Sequence, residues 1–240
     1  MIAQMNYLAA EELLKLFRGG KLKVLLLLSF IIGVLFVFIG DRLGLEDNLP
    51  LTAIELLLAV VLPFLMVALG SDLMVGECKG TIKHALKLPI SREFLFLGKL
   101  FAGLAAAAFI VLCMFVPTFV GGFILHGVPA ASSLGAGLAE LGGAILFSGL
   151  LLVLANSVSL WVGSSGVGLA VSVVLWMAMS VVGFLEPQLN RFFVTDYADW
   201  LQPLLYGGNA GMTISTLLFM TAYYIIGTIL GLLAFQRKGF

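Results

Sequence analysis

Hydrophobic residues fill the chain in six long stretches, and polar residues are concentrated in the short segments between them. Each stretch is near or above the roughly 17–25 residues that a helix needs to cross a bilayer. The third and fourth are longer than one crossing requires, so we expect them to tilt or to project from the membrane. The stretches are residues 24–40, 51–70, 94–125, 134–162, 165–185 and 212–235. The pattern predicts a single all-α transmembrane domain, residues 1–240, with six spanning helices.

The segment before the first stretch has the spacing of an amphipathic helix. Its apolar residues recur at intervals typical of one helix face, and they are Ile2, Met5, Ala9, Leu13, Leu16 and Phe17. Glu12, Lys15 and Arg18 fall outside that stripe. We expect such a helix to lie in the membrane interface on the inner leaflet. The Gly19-Gly20 pair would then turn the chain into the first span.

Composition and charge support a membrane protein and orient it. Charged residues make up 11% of the chain, against about a quarter in soluble domains. If both termini lie on one side of six spans, eleven of the thirteen Lys and Arg residues share that side, and only Arg42 and Arg191 lie opposite. The positive-inside rule then places both termini in the cytoplasm of a multi-pass plasma-membrane protein. No nucleic-acid partner is expected.

The most polar internal segment is GECKGTIKHALKLPISREFLFLGK, residues 76–99, between the second and third stretches. Thr81 is suited to start a helix there, and Pro89 is suited to end it. Three lysines spaced four residues apart form one stripe of this helix, and they are Lys79, Lys83 and Lys87. The pattern predicts a short amphipathic helix, residues 79–88, in a cytoplasmic loop. That helix could lie on lipid headgroups or dock into a groove of a partner protein.

The order of residues in this segment resembles the coupling-helix region of ABC-2 type ABC transporter permeases. Within that family it is most similar to the small six-span permeases of bacitracin, lantibiotic and peptide export systems. The shared elements follow the pattern E-x-x-G-T-I-K-x-x-L-x-L-P-I-S-R-x-x-x-x-x-G-K, from Glu77 to Lys99. The wider plan agrees, because the family also has an N-terminal interfacial helix, six spans and an interrupted segment before the last span.

The resemblance implies that the chain is the permease subunit of an ATP-driven exporter. The chain contains no GxxxxGK[ST] phosphate loop, so ATP and Mg²⁺ would be bound by a separate ATPase subunit. Two ATPase copies would work with two permeases, which form a homodimer or a paralogous heterodimer. Lysines and His84 would contact the ATPase surface, and two leucines would fill its groove. The residues implied in coupling are Glu77, Gly80, Thr81, Lys83, His84, Leu86, Lys87, Leu88, Pro89, Ser91 and Arg92.

Ionisable residues inside the apolar stretches are candidates for the substrate path. Glu55 and Glu140 lie within spans, where a carboxylate is costly unless it faces a partner, water or the path. The alternative is that these acids snorkel to the interface or pair with Arg42 or Arg191. Lys99, near the inner end of the third span, is expected to snorkel to the headgroups.

The segment 187–209 is too polar and too interrupted by proline to cross the membrane. The resemblance implies that it forms a re-entrant structure that lines the exit of the path. Its aromatic residues also suit a belt at the outer membrane interface. The aromatic residues assigned to the path are Phe192, Tyr197 and Trp200.

Two glycine motifs do not define an enzyme. The GSSG at residues 163–166 matches the GxSG pattern of intramembrane serine proteases, but neither histidine is placed to accept the Ser165 proton. A turn between the fourth and fifth spans is the favoured interpretation. Gly227 and Gly231 form a GxxxG motif, which indicates close helix packing without identifying the opposite helix.

Three functional classes remain open. The first is an exporter that moves an amphipathic peptide, antibiotic or lipid-like substrate from the cytoplasm or inner leaflet outward. The second is ATP-driven extrusion of an ion such as sodium, which would favour acids that are deeper and more numerous than Glu55 and Glu140. The third is a secondary transporter, which would need a buried charge network at mid-membrane, and the sequence does not show one. Membrane lipid is a partner in every case.

Overall fold

The computed structural model describes most of the chain, and gives only the backbone at residues 2–6, 41, 126, 131–134, 210 and 212. The described residues are 2–42, 60–75, 92–126, 131–186, 188, 192–198, 200–201 and 210–237. The predicted coupling helix, Glu55 and most of the predicted re-entrant segment lie outside these residues. Of the residues implied in coupling, Arg92 is described.

All regular structure in the described residues is helical. The helices are α1 (Ile2–Arg18), α2 (Gly20–Arg42), α3 (Leu62–Leu73), α4 (Arg92–His126), α5 (Ala131–Val162), α6 (Ser165–Leu185) and α7 (Ala210–Arg237), with a short 3-10 helix at Val194–Tyr197. Helices α2, α4, α5, α6 and α7 are long and apolar enough to cross a membrane, whereas α3 has 12 residues in the described part of the chain. The structure therefore confirms an all-α, multi-pass membrane protein.

Helix ends follow the glycine and proline signals of the sequence. The helical run breaks at Gly19, between α1 and α2. Gly163 adopts a φ of 79° between α5 and α6, a left-handed conformation that glycine reaches without steric cost. The GSSG motif is therefore a tight turn, as predicted. Helix α4 continues through Pro117 and, at about 1.5 Å per residue, is about 52 Å long.

Helices α4 and α5 form the centre of the molecule. Helix α4 packs against α1, α2 and α5, and α5 also packs against α3, α6 and α7. Gly70 permits one close approach, because a Cβ there would lie 2.6 Å from the Leu152 carbonyl oxygen. The largest buried side chains include Phe96, Phe147 and Phe235, which fill the space around this helix pair.

The helices from α2 to α7 alternate in direction, as contacts between their ends show. The start of α2 meets the end of α3 where Lys21 Nζ lies 2.6 Å from Asp72 Oδ2. The end of α7 meets the start of α4 through Gln236 and Glu93, and it meets the end of α5 where the Arg237 guanidinium lies 5.2 Å from the Trp161 ring centre. We call this the basic end of the bundle. The short 3-10 helix lies at the opposite end.

Candidate functional site

A buried ion pair joins α1 to the first turns of α4. Lys99 Nζ donates to Glu12 Oε2 at 2.9 Å, and the two side chains are 3% and 7% exposed. The other carboxylate oxygen, Glu12 Oε1, accepts a hydrogen bond from Lys15 Nζ at 2.6 Å. Each oxygen of one buried carboxylate therefore binds a different ammonium group. We call Glu12, Lys15 and Lys99 the α1–α4 clamp.

The clamp corrects two expectations from the sequence. Lys99 does not snorkel toward the headgroups, and Glu12 does not lie on an exposed face of α1. Helix α1 packs directly along α4, so both side chains are enclosed and each supplies the counter-charge of the other. The same contact places the Phe17 ring edge-on to Phe109, with ring centres 5.3 Å apart.

The charge of the clamp is set by competition between burial and pairing. Burial by itself raises the pKa of the Glu12 carboxyl, because it disfavours the charged form. The charges and hydrogen bonds of Lys99 and Lys15 outweigh that effect, so the pKa of Glu12 lies below its ordinary value. Glu12 is therefore ionised at neutral pH, and the clamp carries two positive charges and one negative charge.

The clamp lies immediately after the predicted coupling segment. Helix α4 begins at Arg92, which is only half-buried, and Lys99 is two turns further along the helix. Gly98 lets α1 approach at this level, because a Cβ there would lie 2.7 Å from Leu8 Cδ2. On another side of α4, Gln236 Nε2 donates to Glu93 Oε1 at 3.3 Å. The first turns of α4 are thus attached to both α1 and α7.

Aromatic residues in and beside the 3-10 helix, within residues 192–201, pack onto the end of the bundle opposite the basic end. Trp200 Nε1 donates to the Gly143 carbonyl oxygen at 3.4 Å, and Tyr223 donates its hydroxyl proton to the Phe192 carbonyl oxygen at 2.6 Å. Tyr197 packs with its ring centre 6.2 Å from that of Tyr223. Burial, with smaller effects from Tyr223 and the nearby Asp196, raises the pKa of Tyr197 to about 12.

The positions of these rings correct part of the predicted aromatic belt. Tyr197 and Trp200 are buried in the chain, because the segment turns back onto α5 and α7, whereas Phe192 is 53% exposed. Glu140 is also buried, and it lies on α5 one turn before Gly143, the acceptor of the Trp200 hydrogen bond. Trp200 therefore contacts α5 about one helical turn away from Glu140. The other acid assigned to the path, Glu55, lies outside the described residues.

Comparison with known proteins agrees with this architecture. A family model described as ABC-2 family transporter protein matches residues 8–183, which run from α1 through nearly all of α6. No curated protein sequence matches the chain. The matched range covers well over half of the chain and contains the clamp and the central helix pair. The chain therefore belongs to the ABC-2 transporter family and is the membrane subunit of an ABC transporter that works with an ABC ATPase.

Proposed function

We propose that this permease exports an amphipathic peptide, antibiotic or lipid-like substrate from the cytoplasm or inner leaflet to the outside. The observation that best supports it is the attachment of α4 at its start, where the α1–α4 clamp holds one side of the helix and the Gln236–Glu93 hydrogen bond holds another. This part of α4 directly follows residues 79–88. A displacement of that segment would therefore move α1, α4 and α7 together.

The proposed topology has six spans, with α3 extended toward residue 51, and both termini in the cytoplasm. The distribution of basic residues supports it, because Arg42 alone among the described ones lies at the opposite end of the bundle. Those at the basic end are Lys15, Arg18, Lys21, Lys23, Arg92, Lys99 and Arg237. The positive-inside rule assigns such an end to the cytoplasm.

In the proposed cycle, two ATPase subunits bind ATP and Mg²⁺ and close against the two permeases. Their closure pushes the coupling helix, residues 79–88, and the displacement reaches the bundle through Arg92 and the first turns of α4. The exit lies at the opposite end, near Glu140, Trp200, Tyr197 and Phe192. The second permease is another copy of this chain or a paralogue.

The decisive experiment changes the proposed apolar contact with the ATPase. Leu86→Asp would place an unpaired carboxylate in the ATPase groove, at a cost of several kcal/mol if it becomes buried. The variant is expected to insert and to pair with a second permease, but to lose co-purification with the ATPase or substrate-dependent ATP hydrolysis. Leu86→Met keeps the apolar contact and serves as the matched control. Full ATPase binding and export by Leu86→Asp would overturn the coupling role and move it to the N-terminal helix around Leu13 to Phe17.

Extrusion of a cation is the second candidate, and the buried Glu140 carboxylate is the observation that favours it. A carboxylate inside a span is a typical binding group for a transported ion.

Glu140→Gln tests both candidates, because it keeps the size of the side chain and removes its charge. Peptide-type export is expected to fall while the complex stays assembled, because the change leaves the helix packing in place. Loss of sodium efflux with unchanged peptide efflux would favour the ion pump, and wild-type transport of both would exclude Glu140 from the path.

A further inference from the structure

A groove opens at the basic end, where four helices meet. It has a volume of about 750 Å³, within the roughly 300–1,000 Å³ typical of ligand sites. It lies between the end of α1, the start of α2, the end of α3 and the start of α6. The lining residues are Lys15, Leu16, Gly19, Gly20, Lys21, Leu22, Val24, Leu25, Ala68, Leu69, Asp72, Leu73 and Leu169.

The polar and apolar parts of the lining are separated along the groove. Lys21 and Asp72 are charged, whereas Leu25 and Ala68, one helical turn further into the bundle on the same two helices, are apolar. Four residues along a helix correspond to about 6 Å. The headgroup region of one leaflet is about 5–8 Å thick. The groove therefore changes from charged to apolar over the same depth at which a lipid changes from headgroup to acyl chain.

The charged part of the groove favours a negatively charged headgroup. Lys15 and Lys21 each contact a carboxylate at 2.6 Å, but an ammonium group has three donors and can bind a phosphate oxygen as well. Their side chains are 59% and 77% exposed, so a headgroup can reach them. Arg18, next to the groove residue Gly19, is also exposed. The cations Lys15, Lys21 and Arg18 outnumber the two carboxylates of Glu12 and Asp72.

We propose that this groove binds one anionic phospholipid of the surrounding leaflet, with its phosphate at Lys15 and Lys21 and its acyl chain along Leu25, Leu69 and Leu169. The lipid would hold together α1, α2, α3 and α6. It is a resident ligand, and its binding does not depend on which substrate the transporter moves or on the ATPase.

The test compares lipids by their effect on thermal unfolding of the permease purified in a neutral detergent. Phosphatidylglycerol is expected to raise the unfolding temperature by several degrees more than phosphatidylcholine at equal mole fraction, since a ligand that binds the folded state stabilises it. Lys21→Gln is expected to abolish most of that difference. Lys23→Gln removes an exposed charge outside the groove and is expected to retain it. Equal loss in both lysine variants would show a general charge effect and overturn the site.

A second pair of variants tests whether the groove must be open for the lipid to bind. A Cβ at Gly20 or at Gly142 would meet nothing within 4 Å, but Gly20 lines the groove and Gly142 does not. Gly20→Phe is expected to fill the groove and remove the response to phosphatidylglycerol, whereas Gly142→Phe is expected to keep it. A normal response in Gly20→Phe would overturn the proposal. A normal response together with a change in oligomeric mass would assign the groove to a second copy of the chain instead.

A soluble headgroup distinguishes a lipid from a free anion. Glycerophosphoglycerol carries the same phosphodiester headgroup without acyl chains, and it is expected to leave the unfolding temperature unchanged. If glycerophosphoglycerol stabilises the permease as strongly as phosphatidylglycerol, the groove binds an anion and the acyl-chain contact is wrong. Asp72→Asn makes the groove more positive and is expected to preserve or increase the preference for phosphatidylglycerol. Loss of that preference in Asp72→Asn would contradict the electrostatic part of the proposal.

Discussion

At the residue scale, Glu12 and Lys99 show how two opposite charges can be buried between helices of an apolar bundle. Each lies on the buried face of its own helix, since Glu12 is four residues from both Leu8 and Leu16, and Lys99 is four residues from the buried Leu95. An isolated charge at either position would be costly to bury. Pairing between the two helices offsets that cost, so the contact holds α1 in one register on α4.

Removing the charge of Glu12 tests this contact. Glu12→Gln leaves the Lys99 ammonium buried without its counter-charge, and such a loss typically costs about 3–5 kcal/mol. We expect a marked fall in the unfolding temperature of the detergent-purified protein. Glu11→Gln changes the exposed neighbour and should have little effect. The double variant Glu12→Gln/Lys99→Met removes both charges and should recover most of the stability. A double variant as unstable as Glu12→Gln would show that the pair is not the cause.

The lowered pKa of Glu12 also predicts an acid sensitivity. A carboxyl group with a lower pKa in the folded state stabilises the fold above its unfolded pKa, near the ordinary value of 4.5, and this stability is lost as the pH falls through the folded pKa. The unfolding temperature should therefore fall below about pH 4.5. In Glu12→Gln the fall in unfolding temperature at acid pH should be smaller, because this variant lacks the Glu12 carboxyl group. Parallel pH profiles for the two proteins would contradict the assignment.

At the element scale, the GxxxG motif of α7 finds its partner in α5 and α4. Ser157 donates its hydroxyl proton to the Gly227 carbonyl oxygen at 2.6 Å. A Cβ at Gly231 would lie 2.9 Å from Ser157 Oγ and 3.1 Å from the Phe96 ring. The motif predicted close packing, and the structure shows that the helices packed against it are α5 and α4. The absence of side chains at the two glycines lets α7 approach near enough for the serine to reach a backbone carbonyl.

A larger residue at this contact should separate the helices. Gly231→Val forces the added carbons against Ser157 and Phe96, and overpacking of this kind costs about 1–3 kcal/mol. Gly142→Val makes the same change at a helical position with open space around the Cβ, so it controls for helix propensity. Unfolding in detergent micelles should show a lower stability for Gly231→Val than for Gly142→Val. Equal stability would show that the contact is loosely packed.

At the scale of the whole molecule, alternation of helix direction collects the described basic residues at one end. Lys21, Arg92 and Arg237 belong to three different helices, yet helix-end contacts place them at the same end of the bundle. Arg42 lies at the other end, with the end of α2. A charge asymmetry of this kind sets the orientation of a membrane protein during insertion. The orientation itself is a prediction.

Site-specific labelling tests the orientation. In a background with Cys78→Ser and Cys113→Ala, His84→Cys should react with a membrane-impermeant thiol reagent only from the cytoplasmic side. Asp196→Cys, at an exposed position of the 3-10 helix, should react only from outside. The two variants control for each other, because one intact cell preparation should label only the second. The reverse pattern at either position would exclude the six-span topology.

The class of the protein and most of its helix ends could be predicted from the amino-acid sequence alone. Span length, apolar composition and turn residues are local properties, so residues 165–185 were predicted with the bounds that α6 has, and the turn at Gly163 was predicted before it. Which side chains contact one another depends on how the helices pack. The inward pairing of Glu12 with Lys99, and the burial of Tyr197 and Trp200, depend on which helix lies opposite. Helix periodicity identifies a face of a helix, but the packing of the whole bundle determines whether that face meets lipid, water or another helix.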